Sequence, residues 1–192
     1  MFDDFFGSAT FFDIVVVLVA MAIFVVGWFQ GVVRQVLSIA AFVVAFLLAA
    51  NLRDPLGDFF ARNWTFYDRQ FNFMLALLGL WIAFSITLQI GILSFYRGVV
   101  ISRRFVIVDE LLGGLLGAFQ VFLVLALLAL IFDSYYLATP PPVAPHDVEW
   151  ARSFDALLRD SVLVGALRDG LGALLLTLLG PLLPSDLRAA LS

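Results

Sequence analysis

Residues 11–50 form an almost wholly apolar run of 40 residues, with Asp13 near its start and a cluster of polar residues near its middle. A helix needs about 20 apolar residues, at about 1.5 Å each, to cross the hydrocarbon of a bilayer. The run is too long for one crossing and the right length for two. The turn belongs where polar and small residues gather, at Gln30, Gly31, Arg34 and Gln35. An arginine at mid-depth costs at least ~2.5 kcal/mol, so Arg34 belongs at a water boundary. The segment therefore reads as a tight helical hairpin with its tip at the interface.

The rest of the chain follows the same economy. It is 63% hydrophobic and 14% charged, against about a quarter charged in soluble domains. Spans are expected at about 12–29, 32–50, 71–95 and 109–132, forming one membrane domain over 1–133. Asn51, Leu52, Arg53, Asp54 and Pro55 are expected to end the second span, because proline disfavours helix at the residue before it. Residues 51–70 mix three arginines and three aspartates with aromatics, as an interfacial amphipathic helix does. Asp109 and Glu110 open the fourth span, where their charge meets the positive end of the helix dipole. Gly113 and Gly117 form a GxxxG that admits another backbone. Residues 134–147 are a Pro-rich linker, and 148–192 a helical amphipathic tail. In that tail Trp150, Phe154, Leu157, Leu158, Ser161 and Val162 recur at three- and four-residue spacing. Residues 171–183 are short for a span and are expected to cover one end of the bundle, a fifth crossing being the alternative. The fold class expected is all-α: an integral-membrane four-helix bundle with interfacial helices.

Charge sets an expected orientation. The tips at Arg34 and at 97–104 carry four arginines and no acid, which places them in the cytoplasm and both termini outside. Residues 1–12 hold Asp3 and Asp4 and no basic residue, the reverse of a secretory signal, so the first apolar segment is expected to stay in place.

Catalytic chemistry has little to work with. There is no cysteine, and the one histidine, His146, lies in the Pro-rich segment without ligand spacing around it. No phosphate-binding glycine loop or nucleophile elbow is present. Adjacent Asp109 and Glu110 point about 100° apart on a helix and do not make an acid–base pair. Neither catalytic residues, metal nor cofactor are expected, and the net charge of −4 argues against nucleic acid. What remains is a set of boundary or intramembrane polar groups: Gln30, Arg34, Gln35, Gln89, Asp109 and Gln120. Such groups either join helices or line a pathway. No ionisable residue lies near mid-depth, which favours joining. An ion pair between Arg34 and Asp109 is expected to clamp the hairpin to the fourth span.

The pattern resembles the colicin V production protein (CvpA) family of bacterial inner-membrane proteins. The resemblance rests on Asp13 and Ile14 opening the first span, then Gly27, Gly31, Arg34 and Ser38 through the tip. It rests also on Asp109, Leu112, Gly113 and Gly117 opening the fourth span, and on Ser161 followed by Leu163 in the tail. It departs at three positions: Gln30 and Gln120 stand where the family commonly has a basic residue, and Gln35 where it often has an acid. The resemblance implies a non-enzymatic four-span protein linked to colicin V production or export and to envelope homeostasis. Some family members carry a trypsin-like protease; the 60 residues after Phe132 hold no such catalytic motif. The expected partners are membrane lipids, a second copy of the chain in a homo-oligomer, and a membrane or periplasmic protein of unknown identity. The rival reading is a small channel or transporter subunit with a path between protomers, lined by Gln89, Gln120 and the glycine faces.

Overall fold

The computed structural model describes residues 9–95, 106–136, 148–184 and 187. Helix α1 (Phe11–Gln30) begins at a capping box in which Thr10 and Asp13 satisfy each other's backbone N–H groups. It stops at Gly31, whose φ of 74° is the one positive φ among the described residues. A Cβ there would be strained, so glycine is what allows two helices to meet at one residue. Helices α2 (Val32–Asn63), α3 (Arg69–Phe95) and α4 (Val106–Tyr136) follow. With α1 they are, among the described residues, the four single helices long and apolar enough to cross a bilayer. The chain is an all-α, multi-pass membrane protein.

The second span does not end at Asn51. Helix α2 runs on through Pro55 to Asn63. The proline forfeits one backbone bond, to the carbonyl of Asn51, at a cost of about 3 kcal/mol in an isolated helix. Packing beyond the proline offsets it. Gly57 lies flat against the ring of Phe73, and Asp58 accepts from Arg69 at 3.0 Å, so the extension stays zipped to α3. Residues 51–63 are therefore the protruding end of a span rather than a separate interfacial helix. At 32 residues α2 is about 48 Å long, well beyond the ~30 Å hydrocarbon layer.

The hairpin is propped open. Helices α1 and α2 barely touch beyond Gly31; α1 packs along α4, and α2 packs along α3. Helix α4 lies in the fork between α1 and α2, and about half of its span is buried, against a third or less for the others. The core is uneven. Large buried side chains such as Phe46, Leu77, Leu127, Ile131 and Phe132 gather towards the end where α4 finishes. Glycines and amides fill the end near Gly31. Outward faces such as Ile14, Leu18, Met21, Ile86, Ile90 and Leu115 are apolar and exposed, as lipid-facing surfaces are.

The tail is two helices, α5 (Glu149–Asp160) and α6 (Val162–Leu179), broken at Ser161 and followed by a 3-10 turn, Gly180–Leu182. The buried face of α5 is in part the one expected: Leu158 and Ser161 are buried, and Phe154 packs against Phe12 and Phe132. Ala151 and Asp155 point inward as well, while Trp150 and Leu157 are about half exposed. The reason is that Asp155 is held by Arg159 at 2.8 Å and can enter the packed face with its charge matched. Helix α6 covers the wide end of the bundle. Its first turn meets Asp13 of α1, Arg168 grips Asp133 of α4 through two bonds of 2.9 and 2.7 Å, and Asn51 of α2 donates to the Leu182 carbonyl. Val162–Gly170 and Leu175–Leu182, the second running on from α6 into the 3-10 turn, are bent by 51° and would pass for a fifth span only when joined.

Candidate functional site

Two polar arrangements and one seam of glycines hold the narrow end together. The first centres on Asp109. Gly31 has no side chain with which to cap α2. The Val32 N–H instead donates to Asp109 Oδ1 at 3.3 Å, and a Cβ on Gly31 would sit 2.5 Å from Asp109 Oδ2. Asp109 lies in the first turn of its own helix. One carboxylate thus faces the positive ends of α2 and α4 together.

The expected Arg34–Asp109 ion pair is not formed; among the described residues Asp109 bonds to the Val32 backbone. A helix N-terminus is fixed in place and already desolvated, whereas Arg34 on its flexible stem can stay hydrated at the boundary. The clamp between hairpin and fourth span exists, but a backbone N–H makes it.

The seam lies between α1 and α4. A Cβ on Gly113 would stand 2.5 Å from the Gly27 carbonyl oxygen, and one on Gly117 would stand 2.7 Å from that of Ile23. Gly27 meets the Gly113 carbonyl in the same way. Gly27 in α1 and Gly31 at its C-cap thus oppose Gly113 and Gly117 in α4. Backbones touch, with no side chain between them.

The second polar arrangement joins three helices. Gln35 Nε2 donates to Gln120 Oε1 at 2.5 Å, and Ser38 Oγ donates to the same oxygen at 3.1 Å. Gln89 Nε2 reaches Ser38 Oγ at 2.7 Å and the Ser38 carbonyl at 3.2 Å. Helices α2, α3 and α4 are tied at one depth by neutral groups, each with a partner, as buried amides in hydrocarbon require. Sequence reasoning grouped Gln35, Gln89 and Gln120 but gave Ser38, their hub, no role. Its spacing of three from Gln35 was the available signal. Gln30 ends α1 half-buried and joins neither arrangement among the described residues.

At the wide end sequence reasoning missed a third arrangement. The carboxylate of Asp13, only 1% exposed, accepts from the Thr10 N–H and hydroxyl at 2.9 Å each. It also accepts from the Ser161 hydroxyl, and from the Val162 and Leu163 N–H groups at 3.3 and 3.2 Å. Ser161, whose oxygen also accepts from the Val164 N–H, is the N-cap of α6. Asp13 therefore caps its own helix and the tail's second helix together.

The family model described as Colicin V production protein matches residues 12–170. The chain belongs to the colicin V production protein family. The match begins next to Asp13 and ends in α6, two residues past Arg168. The family unit thus takes in both partners of the Asp13–Ser161 bond, rather than stopping with the four spans. No curated protein and no solved structure matches the chain. Among the described residues no group of three or more acidic or histidine side chains could hold a metal ion. His146 and the arginines at 97, 103 and 104 lie outside the described residues. These arrangements bind helices to one another.

Proposed function

We propose that this chain is a non-enzymatic scaffold or accessory factor of the bacterial inner membrane, serving colicin V production or export and, more broadly, envelope homeostasis. One observation carries the reading. Gln35, Ser38, Gln89 and Gln120 each bond to another of the four, joining three helices, which favours glue over the wall of a path. The family match supplies the link to toxin production. The proposed orientation has both hairpin tips in the cytoplasm and both termini outside. The positive charge at 34 and 97–104 supports it, and the contact of Val32 with Asp109 supports both tips lying at one end of the bundle. The proposed working form is a homo-oligomer bound to a membrane or periplasmic protein.

The test is complementation. In cells lacking their own family member, this chain is expected to restore colicin V secretion, and a variant with the α1–α4 seam broken, Gly113→Leu, is expected not to. Purified protein in liposomes is expected to pass no ions. Conductance abolished by Gln120→Leu would replace the scaffold with the channel.

A further inference from the structure

A cleft of about 280 Å³ opens at the wide end, between α2, α3 and α4. It is lined by Arg53, Arg69, Gln70, Phe73, Met74 and Tyr135, and nothing in the reading above uses it. Its two cations differ in setting. Arg53 is nearly buried, at 8% exposure, and Arg69 is open. Arg69 is steadied by the face of the Phe73 ring, 5.5 Å away. The apolar side of the cleft is the half-buried Phe73 ring, with Met74 and Tyr135 almost fully buried.

The depth is set by the helices. Arg53 lies three residues past Ala50, the end of the apolar run, and Arg69 is the first residue of α3. Both belong where spans leave the hydrocarbon. Exposed Phe59, near the end of α2, and Trp64 and Phe66, on the segment after it, lie as an aromatic belt at headgroup level does. A guanidinium is suited to phosphate, which it can hold through two parallel bonds.

We propose that this cleft binds the phosphate headgroup of an anionic phospholipid, with the start of its chains against the Phe73 ring. The apolar side and the interfacial depth select a lipid over a free anion. The paired arginines select a net negative headgroup over a zwitterionic one. Two acids oppose the lipid: Asp54, 3.6 Å from Arg53, and Asp58, 3.0 Å from Arg69. Both are substantially exposed. A phosphate entering the cleft competes with Asp58 for Arg69, so affinity is tuned down and can be raised by one substitution. The inference is independent of the scaffold reading, since a channel could hold the same lipid.

Native mass spectrometry of the full chain in mixed micelles tests it, with phosphatidylglycerol and phosphatidylcholine of the same chains as probes. Phosphatidylglycerol is expected to be retained about tenfold better, about 1.4 kcal/mol, because both lipids offer the phosphate but the choline cation of phosphatidylcholine is repelled by the arginines. Arg69→Gln is expected to remove that preference. Asp58→Asn is expected to increase it, and Arg62→Gln, on the same helix end but away from the cleft, to leave it unchanged. Arg69→Gln and Asp58→Asn both break the Asp58–Arg69 contact between the end of α2 and α3, so a gain in Asp58→Asn against a loss in Arg69→Gln separates lipid binding from a loosened helix end. Equal retention of the two lipids, or a preference that survives Arg69→Gln, would overturn the proposal. So would displacement of phosphatidylglycerol by millimolar inorganic phosphate, which would show a site for a free anion.

Discussion

Asp13 and Ser161 lie 148 residues apart in sequence and share a hydrogen bond in which both are buried. Asp109 and Gly31 make a matching arrangement at the other end of the bundle. In each, an aspartate in the first turn of one span reaches the N-terminus of another helix and supplies the acceptor its first N–H groups lack. The two aspartates fix the bundle at its two ends, one holding the tail and the other holding the hairpin fork.

Removing Asp13 is expected to free the tail before it unfolds the spans. Asp13→Ala strands the Val162 and Leu163 N–H groups and the Ser161 hydroxyl in a packed setting, at about 1–3 kcal/mol for the orphaned donors. Amide exchange should rise first in the opening turn of α6 and leave α2 and α3 protected. Ser161→Ala should do less. The double variant should cost less than the sum of the two, because each change removes the same bond. Full additivity would mean that the contact contributes nothing to docking.

The glycines are expected to divide sharply by position. A Cβ on Gly113 meets the Gly27 carbonyl at 2.5 Å, backbone that cannot turn aside. Gly113→Ala should push α1 off α4, at about 1–3 kcal/mol. Gly79 in α3 has open space around it. Gly79→Ala should be neutral or stabilise by up to ~1 kcal/mol through helix propensity alone. Thermal unfolding in detergent reads both, and similar effects would show that the seam is not close-packed.

The spans, the elbow and the glycine faces were legible because each has a local signature: run length, a cluster of small and polar residues, a four-residue spacing. The course of α2 was not. Pro55 is a local stop signal, and what overrides it is the contact of Gly57 and Asp58 with a different helix. The polar partners were not legible either. Ser38 and Gln120 are 82 residues apart, and Asp13 and Ser161 farther still, so nothing near one names the other. Asp109 shows the limit most plainly. Its role as a clamp was readable from its place at a span boundary, but the charge rule pointed to Arg34, and geometry gave the bond to the Val32 N–H.

Gln35 and Gln120 stand where the resemblance implies an acid and a base, and their side chains meet. Opposite charges at these two sites would face each other directly. Gln35→Glu and Gln120→Lys are each expected to destabilise, since either alone places an unmatched charge against a neutral amide at depth. The pair together should recover most of the loss. Gln120→Leu, which leaves the Gln35 amide and Ser38 hydroxyl without their acceptor, should cost about 0.6–1.7 kcal/mol, the range seen for interhelical bonds in membranes. A double variant no better than the worse single one would show that the side chains do not meet in the folded protein.

The ranking of Asp109 and Arg34 separates a helix cap from an ion pair. Asp109→Ala removes the acceptor for the Val32 N–H and is expected to cost about 0.5–2 kcal/mol, as other lost caps do. Asp109→Asn keeps an oxygen at the same place and should recover much of that, although it gives up the interaction of a full charge with two helix dipoles. Arg34→Gln is expected to change unfolding by less than about 0.5 kcal/mol, since no bond between Arg34 and Asp109 exists to break. Its effect should be on topology instead. With one fewer arginine at the elbow, a reporter fused after residue 50 should show a larger fraction of chains inserted the wrong way round. If Arg34→Gln destabilised as much as Asp109→Ala, and the two changes failed to add, the arginine would be the partner of the aspartate after all.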